Sequence, residues 1–215
     1  QAYPGRLLLV VVADGSSDGT AQRAREAAQA MGRSDRVAVI DGQPPPDGWT
    51  GKLWALEQGA RALDAAGVSP TFVWLCDADT AHAPDLLSRL VAQAARGRYD
   101  LVSLMVLLDA RGPWGRLLIP PFVFFFRKLY PFSWVADPGR RTAAAAGACV
   151  LVRADALVAV GGFPAIRDRI IDDCALARQV KTYGPSGRIW LGLTRQAWSL
   201  RPYRSLCEIW GMVAR

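Results

Sequence analysis

Runs of apolar, β-branched residues alternate along the chain with segments of helical composition, and this alternation constrains the fold more than any other feature. Strand-like runs occupy residues 6–12, 37–40, 71–76, 100–108 and 189–193. Helical stretches lie between them and after them, at about 20–31, 51–66, 84–96 and 172–183. Continuous apolar runs are typical of strands buried on both faces. The pattern therefore predicts an α/β fold with a mostly parallel sheet flanked by helices.

The 215 residues are 51% hydrophobic and 21% charged, which excludes a disordered chain and predicts a substantial core. No linker or repeat separates domains, so we predict a single domain. The most apolar stretch, 117–126, is shorter than a membrane span and is interrupted by Pro120 and Pro121. No bilayer-crossing segment is expected. The net charge of +7 favours an anionic partner: nucleotide phosphates, lipid headgroups or nucleic acid.

Two acidic residues directly follow predicted strands. Asp14 comes after the first strand and Asp77 after the strand that ends at Cys76. Ligands of parallel α/β sheets bind at the carboxyl ends of strands, so both loops are expected on one rim. Asp77 and Asp79 form a DxD pattern, which suits Mg²⁺ or Mn²⁺ bound to substrate phosphates. DxD is a short pattern, and the alternative on spacing alone is a turn cap at Asp77 with Asp79 in solvent.

Two further charged positions lie at predicted helix starts. Asp172 and Asp173 open a helix, where acidic residues are favoured by the helix dipole. A general base is the functional alternative, because adjacent carboxylates can tune one another for proton transfer. Lys52 follows a Pro-rich loop and could contact phosphate there, or could be an ordinary surface lysine.

The segment 117–135 combines an apolar body with Arg127, Lys128 and terminal aromatics. This composition is typical of a helix in a membrane interface. A buried core helix is the alternative, although three consecutive phenylalanines, at 124–126, cannot all face one core. Aromatics beside basic residues also occur in RNA-binding surfaces, but no RNP-like or KH-like pattern is present, and no nucleic-acid partner is expected.

Several blocks of the sequence resemble family 2 glycosyltransferases with the GT-A fold, and more narrowly the hopene-associated glycosyltransferases of bacterial hopanoid gene clusters. The blocks include ADGSSDGTA at 13–21, GWTGKLWAL at 48–56, LCDADT at 75–80, the aromatic segment at 117–135 and IDDCALARQVK at 171–181. Their order along the chain is highly specific, whereas DxD alone is weakly so. The resemblance implies a GT-A-like, Rossmann-type domain.

The resemblance also implies roles for individual residues. Asp14 and Ser16 would lie near the base and ribose of a nucleotide sugar, and Lys52 would match the family's GK at that site. Asp79 would be nearest a Mn²⁺ or Mg²⁺ ion, with Asp77 towards the ribose. Asp173 would be the catalytic base of an inverting transfer, with Asp172 beside it. Residues 1–109 would form the nucleotide-sugar half, and 110–215 the acceptor and membrane-interface half.

The implied enzyme transfers a sugar to a lipid-like acceptor at the cytoplasmic face of the bacterial inner membrane. The sequence departs from the family at Ala13 and at Asp172, where an acid and Glu are usual. The family's first strand is expected before Gln1, and its membrane helices after Arg215. Two alternatives stay open at this point: a sugar nucleotidyltransferase, and an inactive homologue that binds membrane surfaces.

Overall fold

The protein is represented by a computed structural model that describes residues 1–16, 18–203 and 205–213. The chain forms two compact units. The smaller unit comprises Tyr3–Pro70 and Gly161–Arg169. The larger unit comprises Gln1–Ala2, Thr71–Val160 and the chain from Ile170 onward.

The smaller unit contains a parallel strand pair with two helices. Its elements are β1 (Leu9–Ala13), α1 (Thr20–Ala30), β2 (Val37–Asp41) and α2 (Gly51–Ala65). Helix α2 packs closely against β1 at Gly59. A methyl group built on this glycine would lie only 3.5 Å from the Val12 side chain. The prediction that the first strand is buried on both faces was wrong: Leu9 is 54% exposed, and only Ala13 of β1 is fully buried. Among the residues that the structure describes, β2 is the only strand paired with β1.

The larger unit is built on a five-stranded sheet with the order β3-β6-β5-β7-β4. Its strands are β3 (Phe72–Cys76), β4 (Thr80–His82), β5 (Leu101–Leu107), β6 (Cys149–Arg153) and β7 (Ile189–Ser199). Its helices are α3 (Leu86–Gly97), α4 (Pro113–Leu129), α5 (Phe132–Ala136), α6 (Ala154–Ala159), α7 (Asp172–Tyr183) and α8 (Leu206–Val213). Helices α3, α6 and α7 contact strands β5, β6 and β7, respectively.

The predicted α/β class is confirmed, but the mostly parallel sheet was wrong for this unit. In the described part of this unit, β5 and β7 are the only parallel pair, whereas β6 runs antiparallel to both of its neighbours and β4 runs antiparallel to β7. An apolar run reports that a strand is buried and carries no information about its direction. Direction depends on where each connection returns the chain, which the hydrophobic pattern does not encode.

The core of the larger unit lies around β5, whose residues from Leu101 to Val106 are all buried. Leu86 and Leu90 of α3 are also fully buried, and they lie on the apolar face of that helix. Burial of each such leucine stabilises the fold by about 1.5–3 kcal/mol. The sheet whose strand β3 leads into the loop of Asp77 and Asp79 is therefore packed on a buried apolar core.

Helix α4 contains the prolines that were expected to break the apolar stretch. Pro120 and Pro121 lie inside the helix, which continues to Leu129. Proline has a φ that a helix tolerates, but it removes one N–H bond and its ring crowds the carbonyl of the preceding turn, so the helix continues past it at a cost. One face of α4 is buried at Ile119, while Phe124 and Phe125 are about 60% exposed. Within the described ranges, no helix combines the length and hydropathy that a bilayer span requires.

Candidate functional site

The DxD loop lies at the carboxyl end of β3 and is fixed at both ends by backbone hydrogen bonds. Asp77 is half-buried and its carbonyl accepts a 3.2 Å bond from the Thr80 N–H. The carbonyl of Asp79 accepts a 2.7 Å bond from the Leu200 N–H, at the end of β7. Strand β4 begins directly after Asp79 and continues the pairing with β7. The Asp79 residue is exposed, so its carboxylate is accessible to a ligand from solution.

The two oxygens of Asp173 each accept a backbone hydrogen bond. Oδ1 accepts from the N–H of Cys174 and Oδ2 from the N–H of Gly147, both at 2.7 Å. Gly147 belongs to the small-residue loop that precedes β6, and Asp173 lies in the first turn of α7. A carboxylate has about four acceptor positions. These two bonds hold the carboxylate in one orientation.

The same loop connects Asp173 to the DxD strand. Cys149, two residues after Gly147, is the register partner of Cys76 at the end of β3. Ser103 on β5 stabilises the loop: its buried hydroxyl accepts from Ala146 N at 2.8 Å and lies 3.1 Å from the Cys149 carbonyl. Asp77, Asp79 and Asp173 therefore lie at one end of the β3–β6 pair, on elements of a single unit.

Tyr130 is a residue that sequence reasoning did not single out. Its phenol interacts with the Cys174 thiol; burial first, then Cys174 and least the charge of Asp173 raise the pKa of Tyr130. Tyr130 directly follows α4, inside the segment for which a membrane interface and a buried core helix were the two interpretations. The only sequence signal was the tyrosine itself, within an otherwise apolar and basic run.

In the smaller unit, Asp14 lies against the start of α2. A methyl group built on Gly51 would lie 3.3 Å from Oδ2 of Asp14, and Lys52 is the next residue of that helix. The loop after β1 turns at Gly15, which has a φ of +62° that side-chain-bearing residues rarely adopt. Ser16 is exposed in this turn, and Lys52 is exposed as well. A helix start with an adjacent lysine is suited to binding phosphate.

The predicted site residues are thus divided between the two compact units. Asp14, Ser16 and Lys52 belong to the smaller one, while Asp77, Asp79, Asp172 and Asp173 belong to the larger one. Asp172 is the first residue of α7 and is half-buried. The two acidic loops follow strands of two different sheets, β1 and β3, so their common rim remains a prediction.

The donor set at the DxD loop fits a hard divalent cation that is completed by substrate. Within residues 1–16, 18–203 and 205–213, no three or more His, Cys, Asp or Glu side chains converge as a metal cage. Mg²⁺ ions are commonly held by one or two carboxylates together with substrate phosphates and water. Asp77 and Asp79 supply that number of carboxylates, at the end of a strand.

Comparison with known proteins identifies the family. Residues 1–206 match the family described as "Glycosyltransferase like family 2", so the chain belongs to that family. The match extends through both compact units, and the fold is a single α/β domain of the GT-A type. A comparison with curated protein sequences finds no significant match.

Solved structures with a similar fold include glucosyl-3-phosphoglycerate synthase from Mycobacterium tuberculosis. Its complex with Mn²⁺, uridine-diphosphate-glucose and phosphoglyceric acid has a TM-score of 0.50 and 20% identity, covering 96% of this chain and 64% of that one. A crystal structure of the same enzyme has a TM-score of 0.46 and 19% identity, covering 94% and 63%. The chain therefore spans slightly less than two thirds of the length of these relatives.

Proposed function

We propose that this chain is the catalytic part of a metal-dependent, inverting glycosyltransferase that moves a sugar from a nucleotide donor to a lipid-like acceptor. The observation that carries the proposal is the placement of Asp77, Asp79 and Asp173 at one end of the β3–β6 pair. Metal-binding carboxylates and an oriented base within one unit are the two parts that such a transfer requires.

The donor is assigned to two sets of residues. Asp79 would hold Mn²⁺ or Mg²⁺, and Asp77 would lie towards the ribose. Asp14 and Ser16 would contact the base and ribose, and Lys52 a phosphate. Glucosyl-3-phosphoglycerate synthase, which has a similar fold, was solved with Mn²⁺ and uridine-diphosphate-glucose. Uridine-diphosphate-glucose is therefore the first donor to test, and residues 1–109 are the proposed nucleotide-sugar half.

The base is assigned to Asp173, with Asp172 beside it. In the proposed step, the Asp173 carboxylate takes the proton of the acceptor hydroxyl. The acceptor oxygen bonds to the anomeric carbon as the bond from that carbon to the diphosphate oxygen breaks, and the configuration inverts. The bound cation would neutralise the charge that develops on the departing nucleoside diphosphate.

The lipid-like acceptor and the membrane face are inferred from α4. Phe124, Phe125 and Leu129 are more than half exposed on this helix, next to Arg127 and Lys128. Exposed apolar side chains beside cations favour an anionic membrane surface. We assign residues 117–135 to that contact, at the cytoplasmic face of the bacterial inner membrane. A link to hopanoid gene clusters is part of the same proposal and derives from the sequence resemblance.

Calorimetric titration with uridine-diphosphate-glucose, with and without Mn²⁺, tests the donor site. We expect Mn²⁺-dependent binding that Asp79→Ala abolishes. Asp64→Ala is the matched control, because Asp64 is an exposed carboxylate on α2 outside the site. Affinity that does not change when Mn²⁺ is omitted would contradict the metal-dependent mechanism. A panel of other nucleoside diphosphates would define the base.

A further inference from the structure

An open cleft of about 1100 Å³ lies within the larger unit. It is bounded by the carboxyl end of β5, one face of α4, the α4–α5 turn and β7, with Met105, Ile119, Val123 and Leu193 among its walls. Small-molecule sites in proteins usually occupy about 300–1,000 Å³. The cleft is therefore large enough for a ligand with a substantial apolar body.

Large apolar side chains at the mouth of the cleft are exposed to solvent. Leu107, Phe124 and Leu193 all line it and are 52%, 61% and 51% exposed, respectively. Contiguous exposed apolar surface of this kind is uncommon in a protein without a partner or ligand. An apolar ligand would remove these three side chains from water together, which favours a hydrocarbon body over a polar one.

Three cations, Arg127, Lys128 and Arg195, share the cleft with these apolar side chains. Among the described residues that line the cleft none is acidic, and within the same part of the chain none of the three cations forms an ion pair with a carboxylate. The Arg127 guanidinium lies 5.4 Å from the centre of the Phe132 ring. All three cations are exposed, so water and salt screen their charge and they attract an anion at short range. The charge of the cleft therefore complements an acidic group.

We propose that the cleft binds one amphiphile whose hydrocarbon lies against β5 and α4 and whose acidic group, such as a phosphate, contacts Arg127, Lys128 and Arg195. The occupant is the acceptor, an assignment that rests on the proposed function. Tyr130 lies between two lining residues in the chain, Lys128 and Pro131, and its phenol interacts with the thiol of Cys174, the residue after Asp173. The basic end of the cleft therefore adjoins, along the chain, a side chain that contacts the neighbour of the candidate base.

Calorimetry with three ligands of one chain length tests the proposal. Decyl phosphate, decanol and decyltrimethylammonium are titrated below their critical micelle concentrations, with inorganic phosphate as a fourth ligand. We expect decyl phosphate to bind at least tenfold more tightly than decanol or phosphate alone, and the cation to bind most weakly. Equal affinities for decyl phosphate and decanol would overturn the proposal.

Paired variants locate the binding. Arg127→Gln/Arg195→Gln should remove the preference for decyl phosphate and leave the affinity for decanol, whereas Arg116→Gln, on α4 outside the lining, should change neither. Phe124→Ser should weaken both ligands several-fold. Phe125→Ser is its control, since Phe125 is equally exposed but is not among the described residues that line the cleft. Equal losses in the two serine variants would contradict the assignment to this cleft.

Co-sedimentation with lipid vesicles distinguishes binding of an acceptor in the cleft from contact of the same cations with a membrane surface. If Arg127→Gln/Arg195→Gln reduced co-sedimentation with phosphatidylglycerol vesicles but left decyl phosphate affinity unchanged, the cations would serve the membrane surface and the proposal would be overturned. Donor binding with Mn²⁺ is measured in the same samples. Loss of decyl phosphate binding with intact donor binding refutes the cleft alone. Decyl phosphate binding without any donor binding supports the cleft and refutes the proposed donor site.

Discussion

The backbone N–H of Gly147 donates a 2.7 Å hydrogen bond to Oδ2 of Asp173, so the candidate base is bonded to the loop that precedes β6. The second oxygen is held by the N–H of Cys174 at the same distance. Because both donors belong to the main chain, no single side-chain substitution removes them. The orientation of this carboxylate is therefore a property of the fold, and the side chain itself can be changed in isolation.

Asp173→Asn should stop transfer and spare donor binding. The amide oxygen can still accept one of the two backbone bonds, but the amide cannot take a proton from the acceptor hydroxyl. General-base catalysis contributes roughly 10²–10⁴-fold, and the transfer rate should fall by about that factor. The rate is measured with saturating donor, and donor affinity by calorimetry.

Asp64→Asn makes the same chemical change on the exposed surface of α2 and should leave the rate unaltered. A rate of Asp173→Asn within a few-fold of wild type would show that another group accepts the proton. Weaker donor binding in that variant would instead indicate that Asp173 contacts the donor.

Ser103→Ala should destabilise the loop that carries Gly147. The Ser103 hydroxyl accepts from Ala146 N and bonds to the carbonyls of Ala146 and Cys149, and the residue is fully buried. Leaving buried backbone groups unpaired costs about 1–3 kcal/mol. We expect that loss in the free energy of unfolding measured in urea, together with a lower transfer rate.

Ser88→Ala is the matched control within the same unit, because Ser88 makes one bond, to the Ala2 carbonyl, and is partly exposed. Its free energy of unfolding should change by less than about 0.5 kcal/mol, as at most surface positions. Equal destabilisation by the two variants would mean that the Ser103 network adds nothing beyond a surface hydroxyl.

Asp100 and Asp155 share one arginine but should differ in their contribution to stability. Asp100 is fully buried and accepts from Ser186 N, Gly187 N and Arg153. Asp155 pairs with Arg153 at the surface. Asp100→Ala should therefore cost about 3 kcal/mol or more, and Asp155→Ala about 1 kcal/mol or less. Urea unfolding of both variants measures this difference, and similar values would contradict the argument from burial.

Elements with a strong local pattern could be predicted from the sequence. The helix predicted at 172–183 has those bounds in the structure, because buried residues recur along one face at Cys174, Ala177 and Val180, and Gly184 follows. Strand β4 was missed. Its three residues have no apolar pattern, and they form a strand only because β7 extends to Ser199 and pairs with them.

The candidate site could be predicted in part for the same reason. Asp77 and Asp79 were expected after a strand and Asp173 at a helix start, since strand ends and helix caps are local signals. The backbone donors to Asp173, the Ser103 support and the Tyr130 contact depend on tertiary packing between distant segments. No local pattern encodes such contacts.

His82 is the only histidine of the chain. Its ring packs edge-on against Trp74 with centroids 4.8 Å apart, and its buried Nε2 has no hydrogen-bond partner among the described residues. Burial lowers the pKa of His82 below the ordinary value of 6.5. As the pH falls through that range, the unfolded chain binds a proton that the folded chain does not, so stability decreases.

The free energy of unfolding of the wild type should therefore decrease below about pH 6.5, and this decrease should end once the pH is below the pKa of His82 in the folded protein. His82→Phe should lack the part of the decrease that His82 causes. Urea unfolding at several pH values compares the two proteins. Because no other imidazole is present, the NMR titration of the ring gives the folded pKa directly. A value at or above 6.5 would contradict the prediction. His82 is the last residue of β4, and β4 begins directly after Asp79. The chemical shifts of the His82 ring therefore also show whether low pH changes the structure of the strand next to the candidate metal loop.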